Sequence, residues 1–146
     1  MARKNNNALF FTCSLIEYIG RTQKQRRWKV TDYLGMENIK RIYNYADVFH
    51  CEPIEKVAAE FTEQCDIPEG EFDNVSICRY AIPDYWDIGE VYERLIEDIY
   101  DDTELEKGIW EIYHSWIDAH ISDYNTDFLL SITRYIAACY KAGEII

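Results

Sequence analysis

Apolar residues recur at three- and four-residue intervals along most of the chain, the period of helices that bury one face. The pattern is clearest after Pro83, where Ile88, Val91, Tyr92, Leu95, Ile96, Ile99 and Tyr100 fall on one side of a helix. Asp84 or Asp87 is placed to cap it, and a carboxylate suits the positive end of a helix. Leu9, Phe10, Cys13, Leu15, Ile16 and Ile19 cover most of the circumference of a first helix, expected over about 8–20. Asn7 would cap that helix and Gly20 would end it, and its all-round apolar surface places it centrally. Trp28 to Leu34 reads as a short helix stopped by Gly35. Asn38 then starts a helix carrying Ile39, Ile42, Tyr43, Ala46 and Phe49, and Pro53 suits the first turn of another, running to about 65. Ile109, Ile112, Tyr113, Trp116 and Ile117 predict one helix. Phe128, Leu129, Ile132, Tyr135, Ile136 and Cys139 predict the last, from near Thr126 to near Gly143.

Residues 66–83 break the helical period. Asp66-Ile67-Pro68-Glu69-Gly70 opens a loop, and the alternation at Val75 and Ile77 predicts a short extended segment near 74–80. The expected fold is all-α: a compact orthogonal bundle of six to seven helices forming a single domain over residues 1–146. No internal repeat is visible, which excludes a solenoid.

Composition agrees. The chain has 146 residues, 48% of them hydrophobic, with only six Gly and three Pro, so it can build one core and is neither disordered nor collagen-like. The five cysteines are odd in number and include no C-x-x-C pair, which points to reduced thiols and a cytoplasmic setting. The start is basic and Ala8 to Ile16 is apolar, but Glu17 interrupts the run and no small-residue cleavage pattern follows. The run is also far below the ~20 residues of a membrane span. A buried first helix is therefore expected, with no membrane as partner.

Charge changes the picture more than composition does. Residues 1–45 carry nine Lys/Arg against three Asp/Glu, while residues 46–146 carry six against twenty-four, together giving the net −12. The chain thus has a basic N-terminal part and an acidic C-terminal part, which either fold against each other or present two faces to two kinds of partner. Between residues 84 and 106 there are ten carboxylates. On the predicted helix Glu90, Glu93, Glu97 and Asp101 recur at three to four residues, forming an acidic stripe opposite the apolar face, a spacing at which like charges repel. Asp84, Tyr85, Trp86 and Asp87 extend that stripe as a partner-binding surface, with Tyr85 and Trp86 as anchors of the kind favoured at interfaces. Arg21, Lys24, Arg26, Arg27 and Lys29, with Trp28 among them, could hold phosphates with a base stacked on the indole. The same loop could equally dock on the acidic surface of its own protein.

Other chemistry finds less support. A helix-turn-helix over 29–48 would use Gly35 as its turn glycine, but Arg41 and Asn44 then fall where packed apolar residues belong. His50-Cys51 lacks a second ligand pair, His114 and His120 lie on different helix faces, and the acids at 101–106 lack the calcium-loop pattern. No phosphate-binding glycine loop and no nucleophile-elbow motif is present. Neither a metal, a cofactor nor an enzymatic activity is expected.

The segments LFFTCSLIEYIG, YLG and IYNYADVFHCEPIEKVAAEF together resemble a family of small bacterial helical proteins of unknown function. Members carry an apolar first helix with an Ile-Glu pair, matched by Ile16-Glu17. They also carry a short Asp-hydrophobic-aromatic-His signature, matched by Asp47-Val48-Phe49-His50. The resemblance covers about residues 9–63. Genes of that family often neighbour genes for ADP-ribosyltransferase-like toxins, which implies an antitoxin or accessory role. This chain departs from the family in its basic loop at 21–29 and its long acidic C-terminal extension.

The expected function is a non-enzymatic, antitoxin- or immunity-like inhibitor or regulator that meets a basic protein partner with its acidic surface. One alternative is an acidic nucleic-acid mimic that blocks a DNA- or RNA-processing or phage-defence enzyme, in the manner of an anti-CRISPR protein. A second is a DNA-binding regulator working through residues 21–45. The abundance of Tyr and Trp also admits a homodimer.

Overall fold

A computed structural model describes residues 6–126, 128 and 133–146. Among these residues there are eight α-helices and no strand: α1 Asn7–Gln23, α2 Arg27–Asn44, α3 Ala46–Phe49, α4 Ile54–Gln64, α5 Tyr85–Ile99, α6 Leu105–Tyr113, α7 Trp116–Ile121 and α8 Thr133–Ala142. A 3-10 turn, Asp102–Glu104, leads into α6. The protein is an all-α bundle, as the periodicity predicts.

The first helix is central. Leu9, Phe11, Cys13, Leu15, Ile16 and Ile19 are fully buried, and so are Thr12 and Ser14. The helix packs on α5, α2, α4 and α3, which surround it. Its bounds differ from those expected. Asn6, not Asn7, is the cap: its Oδ1 accepts the Leu9 N–H at 3.0 Å. Gly20 does not end the helix. A Cβ there would lie 3.1 Å from the Gln25 carbonyl oxygen, so this glycine serves a close approach, and Lys24, at φ 51°, makes the left-handed stop instead.

Gly35, at φ 75° and ψ 160°, is non-helical and stops the first piece as expected; helical pairing resumes beyond it, so α2 is two helices run together across a kink and is numbered as one element. The helix expected over 38–49 breaks at Tyr45, leaving α3 as its own short piece. The helix expected around Ile109–Ile117 also breaks, at His114 and Ser115, into α6 and α7. These two breaks raise the helix number from six or seven to eight.

α5 follows the sequence closely. Asp84 caps it in a reciprocal box: its Oδ1 accepts the Asp87 N–H at 2.7 Å, and the Asp87 carboxylate accepts the Asp84 N–H at 3.2 Å. Ile88, Tyr92, Leu95 and Ile96 are buried beneath it. α8 stops at Gly143, which has a φ of 77°. Its expected start near Thr126 runs into residues 127 and 129–132, which lie outside the described residues.

The segment near 74–80 is not extended. Residues 74–77 form turns, anchored where Asp73 Oδ1 accepts the Ser76 N–H at 2.9 Å. The long connection between α4 and α5 is tied to the body at several points. Gly70 N–H donates to Gln23 O at 2.7 Å and Phe72 N–H to Lys24 O at 2.9 Å. Asn74 Nδ2 donates to Ser122 O at 2.9 Å, Arg79 N–H donates to Asn125 Oδ1 at 2.8 Å, and the Arg21 guanidinium bonds Pro83 O. It is an ordered strap across the α1–α2 and α7 ends. No described helix is long and apolar enough to cross a membrane.

Candidate functional site

The chemistry-bearing residues separate into an interior network and an outer surface. In the interior, Arg27 is buried at the start of α2. Its Nε donates to Glu17 Oε1 at 2.7 Å, and its Nη1 lies 3.1 Å from Asp118 Oδ1 and 3.3 Å from the Tyr92 hydroxyl. The same guanidinium bonds Ser122 Oγ, and its Nη2 donates to the Tyr124 hydroxyl at 2.8 Å. Tyr92 donates to Asp118, and Tyr124 donates to Glu17 Oε2 at 2.7 Å. Arg21 joins from the rim, its Nε 2.8 Å from Glu17 Oε2. The network ties α1, α2, α5 and α7 together, and its charges cancel: two guanidiniums against two carboxylates.

Burial pushes the Glu17 carboxyl up, but the Arg27 and Arg21 guanidiniums and the Tyr124 hydroxyl more than reverse this and hold it below its ordinary value. Burial likewise opposes the charge on Arg27, yet Glu17, Tyr92, Tyr124 and Asp118 raise it well above its ordinary value. Both groups stay ionised. This network engages two of the protein's basic residues. Arg21 and Arg27, expected among the phosphate ligands, point inward, where their guanidiniums are engaged by the network. Lys24, Arg26, Trp28 and Lys29 are exposed, but Arg26 stacks its guanidinium 4.3 Å from the Phe72 ring and Lys29 lies over Trp28 at 5.6 Å. Arg26 lines a different depression from Arg21 and Arg27.

The acidic stripe is also divided. Asp84, Asp87, Glu90 and Asp101 are exposed. Glu93 is only 9% exposed and Glu97 is half-buried, because their face of α5 turns toward α1 and Cys13. A continuous stripe at 90, 93, 97 and 101 is therefore not what the surface shows. Reversing Glu93 would disrupt the interior before it tested any partner. Tyr85 and Trp86 are half-buried rather than projecting. Tyr85 meets Tyr18 edge-on at 5.0 Å, and Trp86 lies 5.4 Å from Phe10 and 5.9 Å from His50.

The outer surface holds residues that sequence reasoning missed. On the strap, Ile77, Tyr80 and Ile82 are 66%, 67% and 50% exposed. They directly precede Asp84, Asp87 and Glu90. The only signal for them in the sequence is a set of apolar residues inside a segment that has lost helical period, and alternation there suggests a strand instead. The result is an apolar knuckle bordered by carboxylates.

The histidines do not gather. His114 Nε2 sits 2.7 Å from Asp32 Oδ1, His120 packs edge-on against Trp116 at 5.3 Å, and His50 stacks on Phe11 at 5.1 Å. Among the described residues no three His, Cys, Asp or Glu side chains converge at metal-binding distance. All five cysteines are free thiols. Within the resembling signatures, Ile16 and Glu17 are interior, whereas Asp47, Val48 and His50 are exposed and Phe49 is half-buried. No protein-family model, no curated protein and no solved structure matches this chain.

Buried groups that are neutral while protonated set the alkaline limit of the fold. Burial pushes the Cys13 thiol up; the Tyr113 hydroxyl brings it part of the way back, Glu93 and Glu97 add to the rise, and the result is about 12 against an ordinary 9.0. Burial also raises Tyr92 and Tyr113 well above 10.0, and Tyr124 above it. Groups raised in the folded state contribute stability that is full below their ordinary values and is lost as pH rises through the folded ones. The urea midpoint should therefore hold to about pH 9 and then fall steadily towards pH 12. Cys13→Ala should make the fall between pH 9 and 10 shallower, leaving Cys65, which burial also raises from 9.0, and then the tyrosines from 10.0 to carry it. A midpoint flat from pH 8 to 11 would show that these buried groups do not set the limit.

Proposed function

We propose that this chain is a non-enzymatic protein that binds a basic protein partner and inhibits or regulates it, in the manner of an antitoxin or immunity protein. One observation carries the reading: Ile77, Tyr80 and Ile82 are held out in solvent by a strap that is itself hydrogen-bonded in place, beside exposed Asp84, Asp87 and Glu90. Leaving apolar surface in water costs about 25 cal/mol per Å². Exposed apolar groups beside carboxylates suit a protein interface: Asp84 and Asp87, which also cap α5, and Glu90, which pairs with Arg94 at 2.7 Å, attract and orient a basic partner, and the apolar groups hold it once water is expelled. The excess of twenty-four acids over six bases in residues 46–146 supplies a long-range field for such an encounter. The resemblance of residues 9–63 to proteins encoded beside toxins supports the antitoxin form of the reading. A cytoplasmic setting suits it.

The test is capture from a lysate of the source organism by three tagged chains: wild type, Tyr80→Ala/Ile82→Ala and Glu90→Lys. Each lysate is treated with nuclease. The wild type should retain one stoichiometric basic protein and lower that protein's own activity. The double variant should lose it, and Glu90→Lys should weaken it with a reduced salt dependence. A partner held equally by all three chains, or none at all, overturns the reading. Competition between this chain and nucleic acid for the partner would make it the acidic mimic instead.

A further inference from the structure

Beside Trp86, where α2 ends and α3 begins, a cavity of about 310 Å³ is lined by Asn7, Tyr43, Asn44, Asp47 and His50. That volume lies at the low end of the ~300–1,000 Å³ range of ligand pockets. Two of its walls are aromatic and held in place. The Tyr43 hydroxyl accepts the Asn6 Nδ2–H at 3.2 Å. The His50 ring packs against Phe11, at 5.1 Å and 32°, and Trp86, at 5.9 Å and 31°. The third wall carries a charge: Asp47 is exposed, and its carboxylate makes no hydrogen bond or ion pair with any other described residue. No described Lys or Arg lines the cavity. Ala8 and Ala46 complete the lining.

The Tyr43 ring, one unpaired carboxylate and the side-chain amides of Asn7 and Asn44 make a receptor for a flat cation. A guanidinium stacks on an aromatic face and offers a fork of donors to a carboxylate, and its aliphatic stem can lie along the apolar lining residues Ala8 and Ala46. A lysine ammonium would use the carboxylate but not the stacking. Resting on the reading of a basic partner, we infer that this cavity is the socket for an arginine side chain of that partner. It connects to the strap surface through Trp86, whose ring contacts His50 and whose neighbour in the chain is Asp87.

The experiment titrates the full-length, ¹⁵N-labelled chain with Nα-acetyl-argininamide, and separately with Nα-acetyl-lysinamide, following amide and indole resonances. The arginine compound should give saturable shifts at residues 7–8 and 43–50 and at the Trp86 indole. Asp47→Asn should weaken it at least about tenfold, the loss of one charge-assisted hydrogen bond. Because Asp47 is exposed, the variant keeps its spectrum elsewhere. No saturable shift, unchanged binding in Asp47→Asn, or lysine binding as tightly as arginine overturns the inference. Capture of the partner by Asp47→Asn separates the socket from the broader reading. A partner held by wild type and lost by Tyr80→Ala/Ile82→Ala, with no arginine amide bound, overturns the socket and leaves the partner reading standing. Arginine amide bound in the cavity, with no partner captured, leaves the socket standing and overturns the partner reading.

Discussion

Gly89→Ala should lower the unfolding free energy by about 3 kcal/mol, near the top of the usual range for overpacking a core. Gly89 sits inside α5 where it crosses the central helix, and α1 and α5 make the most extensive helix pairing in the fold. A Cβ at that position would fall 2.0 Å from Ser14 Oγ and 2.9 Å from both Ser14 Cβ and the Ser14 backbone N. A hydroxyl can rotate away, but a helix backbone cannot, so the two helices must separate. Alanine would gain roughly 1 kcal/mol in intrinsic helix propensity over glycine, which offsets only part of the loss. Chemical denaturation should show a lower midpoint with an unchanged slope. Ser14→Ala makes the control. Ser14 Oγ is buried without a hydrogen-bond partner among the described residues, so its removal should be neutral or slightly stabilising. In the double variant it should recover part of the loss and not all, because the 2.9 Å contacts remain. Full stability of Gly89→Ala would mean that α1 and α5 do not cross this closely.

Arg27→Met should cost about 3–5 kcal/mol, the loss expected when one member of a buried ion pair is removed and its partners stay behind. That is a large share of the roughly 5–15 kcal/mol by which a domain of this size is stable. The pH dependence distinguishes this cause from simple loss of packing. In the wild type, Glu17 is held below its ordinary value, so its contribution is present above pH 4.5 and is lost as pH falls through the lower folded value. In Arg27→Met the carboxylates keep only Arg21, at the rim, to balance them. Protonating Glu17 then relieves the fold, and the gap between variant and wild type should narrow on going from about pH 7 to about pH 4. A gap of constant size would assign the loss to packing alone. Arg27→Lys should not rescue fully, because an ammonium cannot reach Glu17, Asp118, Ser122 and Tyr124 together.

Glu17 illustrates how much of the network is legible along the chain. A charge interrupting the apolar first helix marks a position that must be paired if the helix is central. The sequence shows that charge, but it does not show that the partner lies ten residues on, at Arg27, or that Asp118 closes the pair from more than ninety residues away. Charge density groups Arg27 with its exposed neighbours, because it does not record which side chain turns inward. Gly20 and Gly89 make the same point. Gly20 looks like a helix stop and Gly89 carries no signal at all, and each is instead a contact point, with Gln25 and Ser14 respectively.

What can be read from the amino-acid order alone is local: the helical period, the central first helix, the capping of α5 by Asp84 and Asp87, and the left-handed stop at Gly143. These depend on residues within one or two turns of each other, where side-chain spacing and backbone preference decide the outcome. Which charges face water, how the 66–84 segment runs, and that Tyr43, Asp47 and His50 share one cavity emerge only when the helices pack. Those features depend on pairings between distant parts of the chain. Burial of apolar surface drives such pairings without regard to sequence separation, and the inward rotation of Glu93 follows from the packing of α5 on α1.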